Sequence, residues 1–248
     1  MAAVEQPGSA TAFEDLVDDY DAARPHYPQA LYDALPSLGD ALELGAGTGI
    51  ASVELSARAH SLVVTDLGPR MLARGLTKHA SSGVVCRAEA LPFADTSFDV
   101  VCGAQMWHWT SDPAGAEVAR VLRPGGRLVL WWNEVRLDAP ARSWKRLWDA
   151  QQDRLEAGNA RYRRGYREVD YNARLAAWFR GAQPVELPWS RTVSLDLYER
   201  WLRSKSYVQE LPDVDGFVAA CRTDLLDVFP DGLVVEPFIT RLWVLTKA

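Results

Sequence analysis

Cysteine, histidine and methionine are all scarce, at three, four and three in 248 residues. Cys86, Cys102 and Cys221 form no C-x-x-C pair, so zinc ribbons, iron–sulfur sites and disulfide scaffolds have no framework here. Two of the thiols fall in apolar runs, and all three are expected to be free in a reducing cytoplasm. His26, His60, His79 and His108 show no ligand spacing, and no metal is expected. No run approaches the roughly eighteen apolar residues of a membrane span. Met1 to Gly8 lacks the basic-then-apolar order of a secretory signal. Lysine is rare too, four against 23 arginines, a bias of GC-rich bacterial coding sequence. The formal net charge of −6 opposes general binding to nucleic acid, which demands a basic footprint.

What the chain does have is alternation. Apolar strand-like runs alternate with segments of helical period, the pattern of a parallel sheet with crossover helices. Strands are expected at Ala41–Leu44, Leu62–Thr65, Val84–Val85, Phe98–Cys102, Arg127–Trp132, Val185–Val193 and Ile239–Thr246. The first helix should face inward with Ile50, Val53 and Ala57, and the next, from Pro69, with Met71 and Leu72. Ser111 or Asp112 should open a helix carrying Ala114, Val118, Val121 and Leu122, which Pro124-Gly125-Gly126 ends. Later helices are expected around Trp144–Leu155, Leu175–Phe179, Leu195–Leu202 and Phe217–Phe229. At this length one α/β domain with a smaller cap is the expected organisation.

Residues 42 to 49 read Leu-Glu-Leu-Gly-Ala-Gly-Thr-Gly, a strand running into a glycine turn. Glycines let backbone approach a ligand closely, and the helix that follows offers unpaired N–H groups. Asp66 ends the next strand, 21 residues after Gly45, close to the spacing at which a carboxylate receives ribose hydroxyls in doubly wound folds. Two departures narrow the ligand. Gly45, Gly47 and Gly49 follow G-x-G-x-G and not the dinucleotide G-x-G-x-x-G, and Glu43 would repel a pyrophosphate while attracting an ammonium. The turn therefore asks for a nucleoside with an amino-acid tail.

With these elements placed, the sequence resembles the class I S-adenosylmethionine-dependent methyltransferases of the type-11 group. The resemblance runs through Leu42–Gly49, Val64–Leu72, Ala88–Val101 and Arg120–Gly126. Tyr20-Asp-Ala-Ala-Arg-Pro-His-Tyr-Pro28 and Gly103-Ala-Gln-Met-Trp-His-Trp109 are similar to the subset that includes trans-aconitate methyltransferase-like proteins. The resemblance implies an α/β, Rossmann-like, seven-stranded, mostly parallel sheet with an antiparallel last strand. Helices would cover both faces, with a helical cap inserted after strand five. It divides the single domain into N-terminal lid helices (1–38), a cofactor-binding core (39–134), a helical cap (135–183) and a C-terminal part completing the sheet (184–248). It implies S-adenosylmethionine as cofactor. Glu43, Gly45, Ala46 and Gly47 would hold its methionine end and Asp66 its ribose. Leu67 and Met71 would pack on adenine or ribose, and Tyr20 and Arg24 would belong to a lid that binds the cofactor, with Arg24 pairing with a carboxylate of cofactor or substrate; an exposed or core-bracing segment is the alternative. Many relatives contact the adenine amino group with an aspartate where this chain has Arg87, so adenine recognition passes to Ala88 and Glu89.

A methyl transferred from a sulfonium needs an oriented nucleophile and exclusion of water. His108, after strand four, is the candidate base, or a brace for its turn. Gln105 is a candidate for orienting cofactor. Trp107, Trp109 and Trp132 are candidates for an acceptor pocket, with core packing as the alternative. Arg161, Arg163, Arg164 and Arg167 could meet an anionic substrate or form a solvated face. The expected activity is methylation of a small molecule in bacterial metabolism, by O-methylation at a carboxylate or hydroxyl. C- or N-methylation, or a regulatory protein that binds the cofactor without catalysis, are the alternatives. No nucleic-acid or membrane partner is expected, and the oligomeric state is not legible.

Overall fold

The computed structural model describes residues 17–136, 142–160, 162, 171–181 and 183–248. Its elements begin with α1 (Val17–Ala23), α2 (Gln29–Asp33), β1 (Asp40–Leu44), α3 (Ser52–Ser56), β2 (Ser61–Asp66), α4 (Pro69–Leu76) and β3 (Ser82–Val85). Then come β4 (Phe98–Ala104), a 3-10 turn (Trp107–Trp109), α5 (Pro113–Val121), β5 (Leu122–Val135), α6 (Arg142–Gly158) and α7 (Tyr171–Leu175). The chain closes with β6 (Phe179–Gly181), β7 (Val185–Ser194), α8 (Leu195–Arg203), α9 (Ser206–Gln209), α10 (Val214–Val228) and β8 (Leu233–Lys247).

The described residues fall into two units. Those of His26–Glu134, Glu168–Leu187 and Thr240–Ala248 form the sheet unit. Those of Met1–Pro25, Val135–Arg167 and Pro188–Ile239 form the helical unit.

The sheet runs β3-β2-β1-β4-β5-β8-β6, with β7 paired to β8 off this path. The strands from β1 to β5 pair in parallel, and β6 lies antiparallel on β8. Period-2 alternation sorts its side chains. Leu42, Leu44, Val101, Leu128 and Leu130 pack on one face, and Ala41, Val100, Cys102, Val129 and Trp131 on the other. Strands buried on both faces explain the unbroken apolar runs in the sequence.

The mostly parallel sheet is as expected and the strand expected from Val185 forms, while three local expectations are corrected. Among the described residues the sheet has eight strands, the seven expected and one more. The additional one is β6, because the helix expected through Phe179 stops at Leu175 and Phe179 pairs with Lys247. The strand expected at Val185–Val193 is β7, off the main path, where Pro188 interrupts no central ladder. Helix α5 ends at Val121, and Pro124-Gly125-Gly126 falls within β5, whose pairing with β4 shifts register between Phe98 and Val100. In α3 the inward residues are Ser52 and Leu55, with Val53 and Ala57 exposed, because the helix starts two residues later than its apolar pattern suggests.

In the helical unit α8 buries Leu195, Tyr198, Trp201 and Leu202, at the expected spacing. They share a core with Trp144, Leu147 and Leu155 of α6 and with Phe217, Cys221 and Leu225 of α10. Ser194 caps α8 by accepting from the Leu197 N–H, and Asp213 caps α10 by accepting from Gly216. Arg161, Arg163, Arg164 and Arg167 lie outside the described residues. Among the described residues no helix is long and apolar enough to cross a membrane, no group of acidic, histidine and cysteine side chains could hold a metal, and the cysteines are free.

Candidate active site

Strand order reverses at β1: β2 and β3 lie on one side, β4 and β5 on the other. Loops leaving the carboxyl ends of β1 and β4 therefore part in opposite directions and open a crevice, where doubly wound sheets bind ligands. The sequence delivers Glu43 to Gly49, Asp66 to Met71 and Gln105 to Trp109 to this edge.

Gly45 and Gly47 take left-handed φ values of 61° and 55°. They need glycine for different reasons. A Cβ on Gly45 would stand 2.7 Å from the Met106 Cβ, whereas one on Gly47 would meet only the Met71 methyl, at 3.6 Å. Gly45 thus admits a neighbouring loop, and Gly47 leaves an open face. Asp66 fastens the turn: its Oδ2 accepts from the Gly47 N–H at 2.8 Å and its Oδ1 from the Gly68 N–H at 2.7 Å. These two bonds fix the orientation of its carboxylate. The Ala46 N–H adds a bond to the Thr65 carbonyl at 2.9 Å.

Glu43 is 1% exposed, on the sheet face that α3 covers. Its Oε2 accepts the Ser52 hydroxyl at 2.6 Å. Burial pushes its carboxyl up to about 7; the Ser52 bond pulls it down, and the charge of Asp66 adds to the rise. A buried carboxylate in this condition gains most from a cation. The donor set fits a zwitterionic nucleoside: a buried anion for the ammonium, backbone open at Gly47, and an oriented carboxylate at the second strand for vicinal hydroxyls.

On the β4 side, Gln105 holds a left-handed φ of 52° and donates its N–H to the Trp131 carbonyl at 2.9 Å. That bend turns Met106 onto Gly45 and Gly103. Trp107, expected to line a pocket, is 1% exposed in the core with Leu42 and Leu44. Trp132 is 2% exposed; its ring stacks on Tyr171 at 4.4 Å and meets the Trp243 ring edge-on at 5.3 Å. The structure places both in packing. Trp109 is half-buried, its ring 5.2 Å from that of His108. His108 is also half-buried, and the Trp132 indole N–H points at its Nδ1 across 3.5 Å.

Met71 is buried behind Gly47, while Leu67 and Ala88 are half-buried at the same edge. Glu89 is occupied with structure: its Oε1 accepts the Ser111 N–H at 2.7 Å and hydroxyl at 2.9 Å, bracing the approach to α5. Burial raises its carboxyl, but these bonds and Arg87 outweigh that and hold it below the ordinary range. Tyr20 and Arg24 belong to the helical unit, where the Arg24 guanidinium lies 4.4 Å from the Tyr20 ring centre and donates to the Ser204 carbonyl. Reasoning from sequence missed Ser52, Met106 and Thr65, whose hydroxyl donates to the Glu43 carbonyl at 3.0 Å. A serine on the inward face of α3 was the available signal for the first.

Residues 42–130 match the family model of the methyltransferase domain. An uncharacterized methyltransferase of Mycobacterium tuberculosis is 44% identical over 129 residues, covering 49% of this chain and 52% of that protein. A methyltransferase-like protein of Schizosaccharomyces pombe is 37% identical over 132 residues, 49% of this chain and 51% of that one. The chain spans about half the length of the curated relatives it matches. Among solved structures, a protein assigned as a type II methyltransferase from Anaeromyxobacter dehalogenans aligns with a TM-score of 0.67 and 23% identity, over 89% of this chain and 97% of that one. Haemonchus contortus phosphoethanolamine N-methyltransferase 2, solved with S-adenosyl-L-methionine, aligns at 0.53 with 15% identity, over 97% of this chain and 60% of that one. At such identities the likeness is one of fold, and it is the methyltransferase fold.

Proposed function

We propose that the protein is an S-adenosylmethionine-dependent methyltransferase that O-methylates a small molecule at a carboxylate or hydroxyl. The observation that carries this is the pair Glu43 and Asp66 flanking the glycine turn at the point where the strand order reverses. When bound, S-adenosylmethionine supplies an electrophilic methyl group on a sulfonium. Glu43 pairs with the ammonium of its amino-acid tail, and Asp66 accepts from the ribose hydroxyls while it holds Gly47 and Gly68 in place. Leu67 and Met71 offer apolar surface to the nucleoside, with Ala88 beside the base.

His108 presents its Nε2 N–H to the acceptor. With the Trp132 N–H directed at Nδ1, the neutral ring carries its proton on Nε2, so it donates and does not accept there. That suits an acceptor which attacks as an existing anion. A carboxylate oxygen needs no base, and orientation supplies the acceleration. The free thiols fit work in a reducing cytoplasm.

Calorimetry with S-adenosylmethionine and S-adenosylhomocysteine tests the cofactor, and labelled-methyl transfer to a panel of carboxylic and hydroxy acids tests the acceptor. Micromolar binding with base-stable or ester-linked label is expected. Folded protein that gives no heat with either nucleoside would overturn the proposal.

A further inference from the structure

In the helical unit a lysine and an arginine lie close to one buried tryptophan, Trp201. Lys205, just after α8, is 8% exposed. Its ammonium lies 3.4 Å from the centre of the Trp201 ring, with the Tyr207 and Trp148 rings at 5.7 and 5.9 Å. Among the described residues no oxygen accepts a hydrogen bond from it. Burial pushes this ammonium down to about 7; Arg24 and Arg191 push the same way, and Glu236 opposes them.

Arg191 of β7 shares the same indole, its guanidinium carbon 5.9 Å from the Trp201 ring centre. Its Nε donates to Glu236 Oε2 at 2.5 Å and its Nη1 to the Ala23 carbonyl at 3.0 Å. Among the described residues its buried Nη2 has no acceptor, and the Oε1 of fully buried Glu236 has no donor. Buried groups left unmade are costly, and folded proteins retain them where water or a ligand completes them. Here one buried guanidinium nitrogen and one buried carboxylate oxygen remain unspent, near an ammonium held only against aromatic faces.

We propose that Lys205 and Arg191 form a buried site for the carboxylate of a small hydroxy acid, whose hydroxyl donates to Glu236 Oε1. One ammonium and one guanidinium N–H match the two oxygens of a planar, singly charged carboxylate. A phosphate dianion would lack donors for its further oxygens and would meet the like charge of Glu236. The site does not depend on the transferase proposal, because it is tested without any nucleoside.

The full chain is titrated with lactate, acetate and inorganic phosphate, by calorimetry and tryptophan fluorescence, which Trp201 should report. Lactate should bind saturably, with acetate and phosphate each at least tenfold weaker. Lys205→Met and Arg191→Lys should each weaken lactate at least tenfold, while Glu236→Gln should bring lactate close to acetate. Lys205→Met removes an ammonium that burial disfavours and that makes no salt bridge among the described residues, so its melting temperature should equal or exceed that of the parent, which separates lost binding from lost folding. Three results would each overturn the site: no saturable binding of lactate to folded protein, phosphate binding as tightly as lactate, or parental affinity in both Lys205→Met and Arg191→Lys.

Discussion

The Ser52 hydroxyl donates to the Glu43 carboxylate at 2.6 Å, with both residues cut off from solvent. It opposes the two influences that raise Glu43, burial and the charge of Asp66. Loss of a hydrogen bond to a charged group costs about 1.5–3 kcal/mol, about one to two pKa units. Ser52→Ala should therefore move Glu43 above about 7 by that much. The affinity for S-adenosylhomocysteine at pH 7 should fall roughly tenfold, with recovery toward pH 9. Calorimetry across pH 6–9 reads both; an unshifted pH midpoint would remove Ser52 from the site.

Glu43 itself should separate stability from binding. Its folded pKa, about 7, lies above its ordinary value of 4.5. The protonated form is favoured on folding, so this stabilisation is complete below about pH 4.5 and is lost as pH rises through 7. Relative to acid, the ionised group then costs about 3 kcal/mol at pH 8.5. Glu43→Gln should leave the melting temperature near the parent's at pH 5 and raise it by several degrees at pH 8.5. Cofactor binding should be lost at both. A variant that melts lower at pH 8.5 would contradict the assigned burial.

The two glycines of the turn should respond unequally to one methyl group. Gly47→Ala makes an ordinary contact with the Met71 methyl and carries the strain of a left-handed φ, about 1–2 kcal/mol. Gly45→Ala carries the same strain and also a collision with Met106, which adds about 1–3 kcal/mol. Urea midpoints at constant m-value should rank parent, Gly47→Ala, Gly45→Ala. Equal midpoints for the two variants would mean that Met106 yields freely.

Asp66→Asn keeps one acceptor oxygen and sets an amide N–H against a backbone N–H, at either Gly47 or Gly68. Affinity for the nucleoside should fall at least tenfold, since a buried donor is left unmade. Hydrogen exchange at the Gly47 and Gly68 amides, followed without ligand, should quicken. Unchanged exchange with lost affinity would confine Asp66 to ligand contact.

The parts of this site legible in the sequence were those written by local rules. A strand, a glycine turn and an acid at the next strand end are each defined within a few residues, and the order of strands then brings Glu43, Gly47 and Asp66 together. Apolar spacing likewise marked the inward face of α8 correctly. The remainder depended on pairs that sequence keeps apart. Glu89 meets Ser111 across 22 positions, and nothing in either segment announces a brace. Three-residue β6 is too short for period 2 to register, and it exists because β8 offers Phe179 an edge. Trp107 looked like pocket wall because it follows β4, yet the 3-10 turn rotates it into the core and leaves His108 half-buried.

His108 should therefore act as a hydrogen-bond donor and not as a base. The Trp132 indole N–H faces Nδ1, and a ring carrying its proton on Nδ1 would oppose two N–H groups, so Nε2 holds the proton of the neutral ring. Nitrogen-15 shifts of labelled histidine should show that tautomer in the parent protein, and Trp132→Phe should release the ring into a mixture. With an acceptor in hand, His108→Gln keeps an N–H and should cost less than about tenfold in rate, whereas loss of a general base costs about 10²–10⁴-fold. His108→Ala, lacking any donor, should fall below His108→Gln. If Gln and Ala fall equally by a hundredfold or more, proton abstraction by His108 is the better account, and the acceptor must then be a hydroxyl that loses its proton during attack.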